Sequence, residues 1–158
     1  MKMQESNLPY RYTESGLDNI YLLNGFYPVE TPRGLSVVIR NPDGLHRAIG
    51  QMLTAETKLL TGREFRFLRH EINLTQQDLA AVIGVDVQSV GRWERGEIKI
   101  PGPAQRLIRL IYNEKVNGNR EILEPLKRLA ELDELIHGDS EITFEETGDQ
   151  WQQADQAA

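Results

Sequence analysis

The stretch TQQDLAAVIGVDVQSVGRWERG, residues 75–96, places two short apolar segments on either side of a glycine. Thr75 and Asp86 are residue types that cap helix N-termini, and each is followed by a short segment that ends in glycine, at Gly84 and at Gly96. A cap and a glycine therefore bracket each segment. The pattern predicts two short helices joined by a tight turn, which is the arrangement of a helix-turn-helix.

The second of these segments has an apolar side and a polar side. Val90 and Trp93 are three residues apart and should face the core, whereas Gln88, Arg92 and Arg95 share the opposite side. In a helix-turn-helix the second helix enters the DNA major groove. There glutamine can bind adenine and arginine can bind guanine through paired hydrogen bonds. The pattern predicts a DNA-reading helix, and a purely structural role in a helical bundle is the alternative.

Residues 74–96 resemble the λ-repressor/XRE-type helix-turn-helix family. The family pattern is L-[ST]-Q, then L-A, a glycine at the turn, and V-x-x-W-E-x-G at the close. The chain has Leu74-Thr75-Gln76, Leu79-Ala80, Gly84, and the closing motif from Val90 to Gly96. The resemblance implies a sequence-specific DNA-binding regulator with double-stranded operator DNA as its partner, and we predict that it acts as a transcriptional repressor.

The resemblance also implies roles for individual side chains. The base-reading positions fall on Val87, Gln88 and Arg92, and the apolar Val87 is expected to contact a thymine methyl group. The glutamine that contacts a phosphate in this family falls on Gln76. The other expected phosphate-contacting residues are Ser89, Arg95 and Lys99. For Lys99, plain solvation is an equally weighted alternative.

Three further residues are expected to support the reading helix. In the family a basic residue of the preceding helix pairs with the glutamate before the terminal glycine, which implies an ion pair between Arg69 and Glu94. Trp93 is expected in the core because the indole is a large apolar group. Gly91, which lies among the polar residues, is expected to let the helix approach DNA closely.

Prolines, glycines and apolar runs divide the rest of the chain. Apolar runs at 20–27 and 35–40 predict a β-hairpin, and Asn41-Pro42 predicts the start of an amphipathic helix. The predicted apolar stripe of this helix consists of Leu45, Ala48, Ile49, Met52 and Leu53. We predict a mainly α chain: a five-helix λ-repressor-like helix-turn-helix domain preceded by a small N-terminal β-hairpin plus helix module.

The predicted domain boundaries follow these segments. Residues 1–58 form the N-terminal β-hairpin/helix module, 59–117 the helix-turn-helix domain, 118–138 a C-terminal helix, and 139–158 an acidic tail expected to be mobile. The C-terminal helix carries an apolar stripe at Ile122, Leu126, Leu129, Leu132 and Ile136. The stripe is either core or a dimer seam. We favour a seam and a homodimer, because twofold dimers usually read operator half-sites.

The N-terminal module followed by FRFLRHEINLTQ is more loosely similar to the zinc-finger/helix-turn-helix antitoxins typified by MqsA. That resemblance implies a toxin protein as partner and repression of the chain's own operon. The chain has no cysteine and so lacks the zinc ligands of that family. The alternative is a free-standing regulator whose N-terminal module binds a small ligand or mediates dimerisation only.

Charge and composition narrow the function classes. The net charge is -6, but residues 61–116 carry nine basic and seven acidic residues, whereas 117–158 carry three basic and eleven acidic ones. The positive middle is compatible with local phosphate contacts. With no cysteine and histidines only at 46, 70 and 137, we expect no metal and no cofactor. The sequence contains no phosphate-binding loop and no activated nucleophile. Glu14 and Asp18 are four residues apart, but the segment around them has the composition of a capped turn. We therefore do not expect an enzyme. Without a long apolar run or a signal peptide, we expect no membrane partner and a cytoplasmic location.

Overall fold

A computed structural model describes residues 8–133 and 142–154 of the chain, and its architecture is mainly helical with small antiparallel hairpins. The strands are β1 (Tyr10–Arg11), β2 (Tyr21–Leu22), β3 (Phe26–Thr31), β4 (Gly34–Ile39), β5 (Phe144–Thr147) and β6 (Gln150–Gln153). The helices are α1 (Pro42–Ala55), α2 (Gly62–Glu71), α3 (Gln76–Ile83), α4 (Val87–Glu94), α5 (Gly102–Val116) and α6 (Leu123–Asp133), with a 3-10 turn at Arg120–Ile122.

The hydrophobic core lies where α2 packs between α1, α4 and α5. Its fully or almost fully buried side chains include Leu53, Phe65, Leu68, Ile72, Leu79, Val90, Trp93, Ile108, Ile111 and Tyr112. Burial of each large apolar side chain contributes roughly 1.5–3 kcal/mol relative to leaving it exposed. The core thus holds the four helices from α2 to α5 in fixed relative positions.

The N-terminal segment joins the same core. Tyr12 and Leu17, which lie between the short paired strands β1 and β2, are buried in one cluster with the helices. The backbone N–H of Tyr12 donates to Ile20 O at 2.9 Å, which closes this loop. The residues from 10 to 22 are therefore packed against the helical core.

The main N-terminal hairpin is present, but its first strand lies at different residues from those predicted. The predicted first strand, 20–27, is wrong: β3 covers Phe26–Thr31, contains Pro28, and pairs antiparallel with β4. Arg40 donates its N–H to Gly25 O, and hydrogen-bonded pairs alternate along an antiparallel ladder, so the Pro28–Val37 pair is not hydrogen-bonded. Pro28 lacks only an N–H that would point away from β4, which is why the strand accepts it.

Helix α1 begins as predicted and buries only part of the predicted stripe, with Leu45 partly buried against the core. Asn41 is the N-cap, in the left-handed conformation at φ 47°, and its side chain accepts a hydrogen bond from the Gly44 N–H. Ile49 and Leu53 are buried, but Ala48 and Met52 of the predicted stripe are exposed. Gly50 is buried instead, because α5 crosses α1 so closely that a Cβ there would lie 2.0 Å from the Tyr112 hydroxyl.

The C-terminal part is the most exposed. Of the predicted stripe, Ile122 in the 3-10 turn and Leu126 in α6 are half-buried, and Leu129 and Leu132 of α6 are exposed. Ile136 lies outside the described residues. The residues expected to be a mobile tail include a hairpin, in which β5 pairs with β6 and every strand residue is exposed. Within residues 8–133 and 142–154, no helix is both long and apolar enough to cross a membrane.

Candidate nucleic-acid interface

The start of α3, the turn and the start of α4 are defined by capping residues. The Thr75 side chain accepts from the Asp78 N–H and the Asp78 carboxylate accepts from the Thr75 N–H, which forms a complete capping box. Gly84 ends α3 at φ 83°, a conformation that glycine adopts without steric cost. The Asp86 side chain then caps α4 by accepting from the Ser89 N–H at 2.9 Å. Only three residues separate the two helices, so the turn is tight.

The apolar side of α4 fixes the helix to the core. Val90 is fully buried, and Trp93, predicted to be core, is 3% exposed. The Trp93 ring packs edge-on against Phe65 of α2, with ring centroids 5.8 Å apart and planes at 85°. Edge-to-face aromatic pairs add about 0.5–1.5 kcal/mol beyond area burial. This contact holds α4 so that its other side faces outward.

A buried ion pair lies under the C-terminal half of α4. The Arg69 guanidinium donates through Nε and Nη2 to the two carboxylate oxygens of Glu94, the latter at 3.0 Å, and this is the ion pair that the family resemblance implied. The two side chains are only 8% and 4% exposed. Arg69 Nη1 also donates to Leu74 O at 2.9 Å. The pair therefore links α2, the start of α3 and the end of α4.

Gln76 belongs to the same network. Its Nε2 donates to Glu94 Oε2 at 2.8 Å, and the side chain is half-buried. An amide nitrogen carries two hydrogens. One is held by Glu94, which orients the side chain, and the second is available for a phosphate oxygen.

The expected role of Gly91 is wrong. Gly91 is buried, and a Cβ built on it would lie 3.0 Å from Arg95 Nη1 and 3.7 Å from Gln76 Oε1. Its missing side chain leaves room for two side chains of the same molecule. In this structure Arg95 and Gln76 therefore occupy the space beside Gly91 that was expected to be open to DNA.

The outward side of α4 carries the predicted base-reading residues. Gln88 and Arg92 are exposed, and Val87 is 43% exposed although apolar. Ser89 is half-buried, and its hydroxyl donates to Asp86 Oδ2 at 3.2 Å. Hydrogen bonds from the Ser89 N–H and hydroxyl lower the pKa of Asp86, so the capping carboxylate stays ionised at neutral pH.

Arg95 has a partner that the sequence reading did not identify. Its Nε donates to Glu97 Oε1 at 2.7 Å, and both side chains are more than half exposed. This contact raises the pKa of Arg95 and lowers that of Glu97, so both groups remain charged. Because surface ion pairs are weak, a phosphate can compete with Glu97 for the guanidinium. In the sequence, only the two-residue spacing between Arg95 and Glu97, on either side of Gly96, indicated that these side chains could pair. Lys99 is exposed nearby in sequence.

A cleft next to α4 gathers further charged groups. It runs between the loop at 14–18 and α2, and it reaches the end of α4 at residues 94–96. Arg66 and His70 of α2 line it, and the pKa of His70 is lowered by burial and then by the neighbouring Arg69 and Arg66. His70 is thus favoured in its neutral form.

Two residues that line this cleft, His46 and Glu71, belong to a hydrogen-bonded chain that also includes the buried Tyr12. Glu71 accepts from His46 Nδ1 at 2.7 Å, and the other ring nitrogen, Nε2, lies 2.7 Å from the Tyr12 hydroxyl. When the ring carries its proton on Nδ1 alone, toward Glu71, Nε2 accepts and the phenol donates to it. Burial raises the pKa of Tyr12, which keeps the phenol protonated. These three residues are far apart in sequence, and no local pattern indicated that they meet.

The described part of the chain has no group of His, Cys, Asp or Glu side chains arranged to hold a metal ion. The arrangement that the structure does provide is an outward polar helix face above a buried, hydrogen-bonded support.

Residues 65–105 match the helix-turn-helix family model. The match begins within α2 and ends within α5, so it covers both helices of the turn and the helices that hold them. Neither the curated proteins nor the solved structures contain a match to the chain. The chain therefore contains a helix-turn-helix domain, a type of domain associated with sequence-specific DNA binding and transcription regulation.

Proposed function

We propose that this helix-turn-helix domain makes the chain a sequence-specific DNA-binding repressor of the XRE type. The observation that carries the proposal is the two-sided character of α4: Trp93 and Val90 are buried, while Gln88 and Arg92 point outward beside the exposed Val87. A helix face that only contacts water gains nothing from placing glutamine, arginine and an exposed valine together. On a helix in the major groove, glutamine has the hydrogen-bonding groups that recognise adenine and arginine has those that recognise guanine.

The other contacts divide into positioning and reading. Gln76, oriented by Glu94, is proposed to hold a phosphate at the start of α3. The further phosphate-contacting residues that we propose are Ser89, Arg95 and Lys99. Base readout is assigned to Val87, Gln88 and Arg92.

The acidic net charge does not oppose this proposal. Residues 117–158 carry eleven acidic and three basic residues, a net charge of -8, whereas residues 61–116 have two more basic than acidic residues. Binding to phosphate depends on the local field, and the field of distant charges is screened over about 8–10 Å at physiological salt. The predicted footprint is therefore local to α3, α4 and the residues just after them.

A homodimer would place two copies of α4 in successive major grooves, about 34–36 Å apart. Operator sites are then expected to be palindromic. Occupation of such a site at a promoter gives the proposed repression, and the role is non-catalytic.

The finer proposal is an antitoxin-like autoregulator. It is supported by the order of modules, a β-hairpin and a helix leading directly into α2, which resembles the antitoxins noted above. The alternative is a free-standing regulator whose N-terminal part binds a small ligand or mediates dimerisation only. Co-expression with the product of the adjacent gene separates them: a stable complex supports the antitoxin, and a chain that purifies alone supports the alternative.

Binding to the gene's own promoter tests the DNA-binding proposal. The promoter duplex and a scrambled duplex are compared by fluorescence anisotropy over a salt series, and preference for the promoter at every salt concentration is expected. Equal affinity for both duplexes would overturn the proposal.

Three variants test the assigned roles in the same assay. Arg92→Ala should weaken the preferred site by about 1–3 kcal/mol and relax the preference at one base position. Gln76→Ala should weaken all duplexes alike. Arg47→Ala removes an exposed arginine from α1, outside the helix-turn-helix, and should change neither property. Identical behaviour of the first two variants would contradict the separate assignment of reading and positioning.

A further inference from the structure

The ribbon formed by β3 and β4 exposes apolar side chains on both faces. Leu35 is 80% exposed on one face, and Tyr27, Val29 and Val38 are each more than a third exposed on the other. An isolated two-stranded hairpin is marginally stable in water, and exposed apolar strands are sites of association. The ribbon therefore has the properties of a surface that is covered in the assembled protein.

The two edges of the ribbon are not equivalent. The backbone groups of residues 26, 28 and 30 point away from β4, and this edge is interrupted by Pro28, which has no N–H, and carries the charged Glu30. The corresponding outward groups of β4 belong to Leu35, Val37 and Ile39. The sequence of β4, GLSVVI, contains neither a charge nor a proline. Charge and proline are the devices that protect an edge strand, so β3 is protected and β4 is open.

The open edge is unsatisfied within the described part of the chain. No described residue outside the ribbon accepts a hydrogen bond from the backbone N–H of Leu35, Val37 or Ile39. Three donors and three acceptors in a row thus face outward along an uncharged strand. A strand placed beside them could pair with all six groups.

We propose that β4 pairs antiparallel with β4 of a second copy around a twofold axis at Val37. In that register Val37 lies opposite Val37 of the second copy, and Leu35 lies opposite its Ile39. Each opposed pair uses outward-pointing groups, so the three pairs form six backbone hydrogen bonds. Two ribbons become one four-stranded antiparallel sheet with β3 at both edges.

A second copy suits this edge for two reasons. An antiparallel strand pair is self-complementary, so one sequence supplies both sides of an isologous interface. In addition, each chain carries a net charge of -6, and two such chains can approach most closely where neither has charge. The register also brings the exposed Leu35 beside Ile39 at the base of the other ribbon, where Tyr10 stacks on Phe26 with ring centroids 5.2 Å apart.

The proposal does not depend on DNA binding, and its test uses the full chain without DNA. Val37→Pro removes the outward N–H of residue 37 from both copies. It breaks no hydrogen bond within the ribbon, and the residue opposite it in the ribbon, Pro28, is already a proline. We expect sedimentation equilibrium to show a dimer for the parent chain and a dissociation constant raised about tenfold or more for the variant. Circular dichroism checks that the variant is folded. The control is Val29→Lys, which changes a side chain on the ribbon face opposite to that of Val37 and should leave the dimer intact. Val29→Pro is unsuitable because the Val29 N–H donates to β4 within the ribbon.

Crosslinking gives an independent measurement, because the chain has no cysteine. Val37→Cys should form a disulfide-linked dimer on mild oxidation, since Cα atoms of a hydrogen-bonded pair are about 5.5 Å apart, within disulfide range. Leu129→Cys reports on the α6 stripe as the competing seam. Efficient crosslinking at 37 supports the proposal. A monomeric parent, or crosslinking at 129 with none at 37, would overturn it.

Discussion

The buried pair of Arg69 and Glu94 should be costly to break from one side and nearly neutral to remove as a whole. Glu94→Leu leaves the Arg69 guanidinium almost fully buried, with Leu74 O as its only strong partner in the described network. Removing one member of a buried pair costs roughly 3–5 kcal/mol, and the remaining carbonyl contact favours the lower end. At about 4 °C per kcal/mol for a domain of this size, Tm should fall by about 12 °C.

The double variant Arg69→Met with Glu94→Leu should recover most of that loss. Both charges are gone, and the principal remaining cost is the unpaired Leu74 carbonyl, about 1 kcal/mol. The two single changes should therefore be non-additive by at least about 2 kcal/mol. DNA affinity should not recover, because Gln76 has lost the Glu94 oxygen that orients it.

Urea unfolding of the four proteins of this cycle measures the stability terms, and anisotropy with promoter DNA measures affinity. Glu97→Gln is the control: it breaks the exposed pair with Arg95 and should leave the unfolding midpoint unchanged. Additive single changes, or a double variant that binds DNA like the parent, would refute the argument that the pair acts as a buried support for Gln76.

Three further changes test the local structure. Gly50→Ala should destabilise the chain by roughly 1–3 kcal/mol in urea unfolding, because its Cβ would overlap the Tyr112 ring; a more stable variant, as helix propensity alone predicts, would contradict this close approach. Thr75→Ala should cost about 1 kcal/mol through loss of the α3 capping box, and an unchanged urea midpoint would mean that the cap contributes nothing. The lowered pKa of Asp86 implies that its stabilisation of the α4 N-terminus is present above the ordinary aspartate pKa and is lost as pH falls through the folded-state pKa. NMR of the Ser89 amide should therefore show α4 fraying at acid pH in the parent and not in Asp86→Asn. Equal pH dependence of the two proteins would exclude Asp86 as the cause.

Local chemistry made the helix-turn-helix predictable. The capping box at Thr75, the left-handed Gly84 and the Asp86 cap are each determined by residues within four positions of one another. The buried Trp93 follows from a three-residue spacing. The pairing of Arg69 with a glutamate 25 positions away came from the family resemblance.

Contacts between distant segments were harder to predict. The predicted first strand stopped at residue 27, just before Pro28, and only the alternation of backbone hydrogen bonds explains why this proline lies within a strand. The buried side of α1 depends on the crossing of α5, which turns Gly50 inward and Met52 outward. The role of Gly91 was misjudged because the sequence does not indicate that Gln76 folds over it.

The chain of Tyr12, His46 and Glu71 ends on the same helix that carries Arg69. A molecule that displaced the N-terminal loop would break the hydrogen bond between Tyr12 and His46 and so alter the contact of His46 with Glu71. Glu71 lies two positions after Arg69, whose guanidinium binds Glu94 of α4. A ligand bound at the N-terminal loop would therefore act on the helix that also holds the Arg69–Glu94 pair.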